Sequence, residues 1–336
     1  MPTVDADCHV IETALTWEYF DPSEAHFRAQ APVRDRDATD ARQDPTVKQM
    51  LSGSVQTTPA TRTMRDIPGR LKHMDDLGVD IQVLYPTLFL QQITDDPEVE
   101  AALCRSYNRW LASIWKESGG RLRWAANLPL LNIEGALEQA KYCKANGACR
   151  VFMRGYEGER ILSDPYFFPI YEQAQSLDLA ICVHAGSANP RYRKLVANER
   201  FSENRLPIIS AFHSLVYHQV PDQFPRLRWG FIEVTALWLP YVLADLKRRL
   251  ERDEKPPLAA SPLKDNRMYV GIQSDDDLPY IVGLVGEDNL VVGSDYGHGD
   301  PAAEIEAVRN LPKYGRMSPE ATRKIMQDNP AALYGL

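Results

Sequence analysis

From Thr63 onward the apolar and polar positions fall into a repeated unit, an amphipathic stretch followed by a short apolar run that ends in polar residues. Helical spacing covers 66–77, 98–117, 134–145, 169–176, 206–219, 237–252 and 278–285. Strand-like runs cover 80–87, 121–130, 149–155, 179–186, 227–234, 267–273 and 290–297, and a further run ends at His9. Strands this apolar belong to an all-parallel sheet covered by helices on both sides. Eight of them in alternation predict an α/β fold of the (β/α)8 TIM barrel type. The lack of a Gly-rich loop after the first strand argues against an open doubly wound sheet.

Residues 11–63 break the rhythm. They are rich in Asp, Arg, Pro and Thr, weakly periodic, and too polar to hold a core of their own. The expectation is one domain spanning 1–336, with 11–63 as an extended insertion after strand one. Such an insertion beside a barrel mouth forms a lid or a contact with a partner subunit.

In a barrel of this kind the C-terminal ends of the strands converge on one mouth. The polar residues expected there are Asp7, His9, Tyr85, Arg154, His184, Glu233 and Asp295. Asp7 and His9 are two apart on a strand and so share a face. With His184 and Asp295 they make a two-nitrogen, two-oxygen set. It suits Zn²⁺, Mn²⁺ or Fe²⁺ better than Mg²⁺ or Ca²⁺, which prefer all-oxygen shells.

Each of these residues also has a plainer role. Asp7 and His9 could be a solvated strand tip, His184 a hydrogen-bonded core residue and Asp295 a helix cap. Glu12 could be a further ligand, orient an imidazole or cap the insertion. Glu233 could serve a second metal, act as acid or base, or pair with Arg154. His213 and His218, five apart, share no helix face. His213 is the one expected at the mouth as a base or substrate contact, and His298 at the outer edge of the site. His26, His73 and His218 are expected on the surface.

Composition narrows the function classes. The net charge of −8 over 336 residues, with no Lys/Arg block, excludes nucleic acid as an expected partner. No apolar run reaches about 18 residues and no signal-peptide pattern opens the chain, so no membrane span and a cytoplasmic location are expected. Five cysteines without a C-x-x-C pair favour neither a disulfide framework nor a thiolate zinc site. There is no G-x-S-x-G elbow and no P-loop.

Four stretches together carry a resemblance over nearly the whole chain. They are Asp-Ala-Asp-Cys-His-Val-Ile-Glu from Asp5 to Glu12, Val-His-Ala-Gly ending at Gly186, Gln-Phe-Pro-Arg-Leu-Arg from Gln223 to Arg228, and Gly-Ser-Asp-Tyr-Gly-His ending at His298. In these the chain resembles the amidohydrolase superfamily. It looks most like the branch of aminocarboxymuconate-semialdehyde decarboxylase and the resorcylate-type aromatic decarboxylases. The resemblance implies a (β/α)8 barrel with one divalent metal at the ends of strands one, five and eight. The family's first metal pair falls on Asp7 and His9, its strand-five histidine on His184 and its strand-eight aspartate on Asp295. Two positions depart from the pattern: Asp7 stands where histidine or glutamate is usual, and Glu233 replaces a familiar strand-six histidine, the strand ending Phe-Ile-Glu-Val-Thr.

The leading expectation is a metal-dependent hydrolase or carboxy-lyase acting on a small carboxylated or cyclic substrate, with zinc, manganese or iron. Asp295 would ligate the metal and move a proton, Glu233 or His213 would be the second acid or base, and Arg154 would clasp a substrate carboxylate. An alternative is a non-haem diiron oxygenase, as is thought for some relatives on natural-product pathways. Its ligands would be Asp7, His9, Glu12, His184, Glu233 and Asp295. The third is a non-catalytic binding barrel, against which the polar strand ends speak. A homo-oligomer is compatible with this branch.

Overall fold

The structure is a computed structural model that describes residues 1–32, 57–197, 199–298, 304–314 and 316–336. The apolar runs pair in parallel and in chain order: β1 (Val4–His9), β2 (Ile81–Tyr85), β3 (Leu122–Ala126), β4 (Ala148–Arg154), β5 (Ala180–His184), β6 (Trp229–Ile232), β7 (Met268–Ile272) and β8 (Leu290–Val292). The ring closes just beyond β8. There the amide of Asp295 donates to the carbonyl of Asp7 at 2.9 Å, and that of His9 donates to the carbonyl of Tyr296 at 2.6 Å. The expected (β/α)8 barrel is therefore the observed one.

Helices stand between consecutive strands: α1 (Ile67–Leu77), α2 (Pro97–Glu117), α3 (Ile133–Ala145), α4 (Phe168–Ser176), α5 (Leu206–Tyr217), α6 (Leu239–Arg252) and α7 (Leu278–Val285). Their ends follow local chemistry. At the start of α2 the Asp96 carboxylate accepts from the amide of Glu98 at 2.9 Å, and Pro97 supplies a first-turn residue that needs no N–H partner. One face of α2 buries Val99, Leu103, Trp110 and Ile114, at helical spacing. In α6 the buried stripe is Leu239, Val242, Leu246 and Leu250.

The strand interior carries one unexpected cation. Arg150 of β4 is fully buried, with its guanidinium 3.3 Å from the ring centre of Tyr85 and 4.9 Å from that of Tyr334, and it donates to the carbonyl of Val83 at 3.1 Å. Stacking on aromatic faces is the arrangement in which a weakly hydrated guanidinium tolerates burial. All five cysteines are buried and free.

The first part of the insertion packs as two 3-10 turns, Ala14–Tyr19 and Pro22–Gln30, against α2. Tyr19 meets Ser113 at 2.9 Å, Arg109 pairs with Asp21 at 2.6 Å and Arg105 pairs with Glu24. The short helix Pro59–Arg62 ends it. The remaining part of the expected lid or interface, 33–56, lies outside the described residues. Among those described, no helix is long and apolar enough to cross a membrane.

Candidate metal centre

Parallel pairing carries β1, β5 and the segment after β8 to the same end of the barrel, and the four expected polar residues meet there. His9 and His184 are fully buried, and Asp7 and Asp295 nearly so. Close approach is possible because Gly293 has no side chain: a Cβ there would fall 2.2 Å from Cβ of Asp7. The backbone is also turned to aim the carboxylates. Asp295 has φ of 51°, and Glu233 and Thr235 beyond β6 have φ of 61° and 56°. Non-glycine residues in this region cost of order 1 kcal/mol or more each and collect at functional sites.

The hydrogen bonds fix which nitrogens are free. Nδ1 of His9 lies 3.0 Å from the carbonyl of Pro86, which only accepts, so Nδ1 carries the proton and Nε2 presents a lone pair. That Nε2 is 3.6 Å from Oδ1 of Asp7 and 3.4 Å from Oδ1 of Asp295, and it has no hydrogen-bond partner among the described residues. Burial first, then the nearby His298 and His184, holds the His9 imidazole well below its usual pKa, so it is neutral. In His184, Nδ1 faces the carbonyl of Ala185 at 3.3 Å and Oε2 of Glu233 at 3.4 Å. Nε2 is therefore left toward Oδ1 of Asp7, at 3.3 Å.

His298 joins this cluster more intimately than an outer-edge position. Its ring stacks on His9 with centroids 3.7 Å apart, and Nδ1 is 2.9 Å from Oδ1 of Asp295. The Thr87 hydroxyl donates to the carbonyl of Val10 at 2.7 Å, so its oxygen accepts from Nε2–H of His298 at 3.0 Å. For a neutral His298, the Nδ1 lone pair then points at a carboxylate. Lone pairs converging on lone pairs in a buried space are what a cation resolves. Two overlapping groups arise, Asp7–His9–His184 and His9–Asp295–His298, with all ligand atoms of each within 4.8 Å of one another. The donor set fits a first-row divalent metal.

Several expectations are corrected by the packing. Glu12 does not face this cluster. Its carboxylate accepts from the amides of Thr87, at 3.1 and 3.3 Å, and Leu88, at 3.0 Å, tying the exits of β1 and β2 together. Arg154 is spent inside the protein: Nη2 pairs with Oε2 of Glu157 at 2.5 Å, and Nη1 donates to the carbonyls of Phe89 and Gln91, each at 3.0 Å. Its partner is thus Glu157, not Glu233 and not a substrate. His213 is not at the mouth; Nε2 lies 3.2 Å from Oδ2 of Asp245, bridging α5 to α6. His73 is half-buried, with Nδ1 2.7 Å from the hydroxyl of Tyr296, whereas His26 and His218 are exposed as expected. Glu233 does stand at the mouth, in a cleft it lines with Asp7, Gln273 and Asp295. The residue that sequence reasoning undervalued is His298, whose signal was its place three residues after a strand-end aspartate.

A barrel with a buried histidine–carboxylate cluster at the strand exits defines a class, and comparison with known proteins agrees. The amidohydrolase family pattern matches residues 4–336, and the chain belongs to that family. A 2-amino-3-carboxymuconate-6-semialdehyde decarboxylase of Dictyostelium discoideum is 22% identical over 264 residues, covering 72% of this chain and 70% of that protein. Among solved structures, an amidohydrolase from Mycobacterium avium subsp. paratuberculosis superposes with a TM-score of 0.79 at 19% identity, over 99% of both chains. The 5-carboxyvanillate decarboxylase of Sphingomonas paucimobilis gives 0.73 at 17% identity, over 100% of this chain and 99% of that one. A 2,6-dihydroxybenzoate decarboxylase complexed with 2,6-dihydroxybenzoate gives 0.70 at 16%, over 100% and 99%.

Proposed function

We propose that the protein is a metal-dependent enzyme that removes a carboxyl group from a small cyclic organic acid, with hydrolysis of a related substrate as the neighbouring reaction of the same site. The observation that carries this is a buried cluster in which Nε2 of His9 lies 3.6 Å from Oδ1 of Asp7 and 3.4 Å from Oδ1 of Asp295, and Nε2 of His184 lies 3.3 Å from Oδ1 of Asp7. The names of the relatives favour decarboxylation over hydrolysis.

In this reading His9, His184, Asp7 and Asp295 hold one Zn²⁺, Mn²⁺ or Fe²⁺. The ion supplies Lewis acidity, polarising a substrate oxygen or activating a water. The protein's own part is orientation and proton handling. Pro86 holds the His9 ring by its Nδ1–H. The Ala185 carbonyl accepts from Nδ1–H of His184 at 3.3 Å, and Oε2 of Glu233 stands 3.4 Å from the same nitrogen, so the ring is oriented with its opposite nitrogen toward Asp7. His298 is braced at Nε2 by Thr87 and can take up or release a proton at Nδ1, facing Asp295.

A second reading, a two-iron oxygenase, is supported by the second group, His9–Asp295–His298. Its ligand set would exchange Glu12, engaged by backbone amides, for His298. Elemental analysis of protein purified without added metal or chelator separates the readings. About one zinc, manganese or iron per chain fits the first, about two irons fit the second, and a chain that takes up no metal when supplied with it refutes both.

A further inference from the structure

With Arg154 engaged internally, a different arginine stands where an anionic substrate would need it. Residues Phe201–Arg205 form a single π-helical turn running into α5. Such turns shift side chains out of helical register and recur at functional sites. This one is pinned on two sides. The amide of Gly186, two residues past His184, donates to the carbonyl of Asn204 at 3.3 Å. Gly155, at the exit of β4, is pressed against the start of α5, where a Cβ would fall 2.1 Å from the carbonyl carbon of Pro207.

From this seat Arg205 reaches across to β6, and its Nη1 is 3.4 Å from the carbonyl oxygen of Glu233. That long hydrogen bond is the only one its guanidinium makes among the described residues, and no carboxylate of theirs pairs with it. Asp276, the nearby acid, is held instead by the amides of Gln273 at 2.9 Å and Ala236 at 3.0 Å. The half-buried guanidinium therefore keeps most of its five N–H donors available beside the cleft lined by Asp7, Glu233 and Asp295. An anionic substrate entering there meets three carboxylates, and a planar cationic fork is the group that offsets them with directed contacts.

We propose that Arg205 is the specificity-determining residue that receives a carboxylate of the substrate, an inference that rests on the reading of function given above. The test titrates the metal-loaded full chain with 2,6-dihydroxybenzoate and with resorcinol, the same ring without the carboxylate. It compares wild type with Arg205→Met and Arg205→Lys. Arg205→Met is expected to weaken 2,6-dihydroxybenzoate by about tenfold or more while leaving resorcinol within about twofold, and Arg205→Lys to recover part of the loss.

Equal losses for both ligands, or no loss for the acid, overturn the assignment. So does metal-loaded wild-type protein that does not prefer the acid to resorcinol. Metal content measured on the same samples keeps the two failures apart. A chain that takes up no divalent metal overturns the functional reading itself, whereas full metal with an indifferent Arg205 overturns only this inference.

Discussion

At the exit of β4, Arg154 and Glu157 answer one another, and the spare donors of the arginine are taken up by the carbonyls of Phe89 and Gln91. At the exits of β1, β5 and β8, by contrast, His9, His184, Asp7 and Asp295 present lone pairs to one another across 3.3–3.6 Å. Both groups are buried, polar and at strand ends. The first is complete as protein alone and braces the loops of β2 and β4. In the proposed reading, a cation completes the second. Burial of polar residues at a barrel mouth is thus not itself a sign of chemistry, and the balance of donors and acceptors is what separates brace from site.

Variants can break this contrast. The largest effect is expected from His184→Ala, which removes a ligand nitrogen and should lower metal affinity by more than about 100-fold. Elemental analysis should find little metal, and circular dichroism an intact barrel; unchanged metal content would end the assignment of the site. Arg154→Met should do the reverse. It leaves Glu157 buried without its partner and should cost about 3–5 kcal/mol in urea unfolding, with metal content preserved. A loss of metal without a loss of stability would erase the distinction between the two halves.

A smaller effect concerns pH. Burial pushes the Glu100 carboxyl, which also lines cavities beside Arg154, up to about 7 from its usual 4.5. A carboxyl raised on folding contributes stability that is present below its unfolded pKa and is lost as pH rises through the folded one. Melting temperature should therefore fall between about pH 4.5 and 7 on this account, and Glu100→Gln should flatten that part of the profile. An identical slope in the variant would refute the attribution. The smallest effect belongs to His213→Ala. Its partly exposed pair with Asp245 is worth up to about 1 kcal/mol, and metal content and ligand binding should not move.

The barrel and the four strand-end ligand candidates were legible because both follow from chain-local patterns. Alternating apolar runs dictate strands, and a polar residue closing such a run must sit at one end of the ring. Partner choice was not legible. That Arg154 would turn to Glu157, three residues on, depends on the bend after β4, and that His213 would bridge two helices depends on how α5 meets α6. Glu12 was ambiguous for the same reason: its carboxylate could serve a metal or an amide, and only the approach of the Thr87–Leu88 backbone decides between them. His298 was visible by spacing, but its stacking on His9 depends on how the chain turns after Asp295.

Ring closure has a further consequence, for the order of events in folding. Asp7 and His9 come from the first strand made, and Asp295 and His298 from a segment almost 300 residues later, joined by the two backbone hydrogen bonds between Asp7, His9, Asp295 and Tyr296. A nascent chain cannot assemble the full cluster until the segment through His298 has been synthesised. A bound ion would then act as a clasp across the seam, slowing the separation of the first and last strands, so chelation should speed unfolding more than it slows refolding.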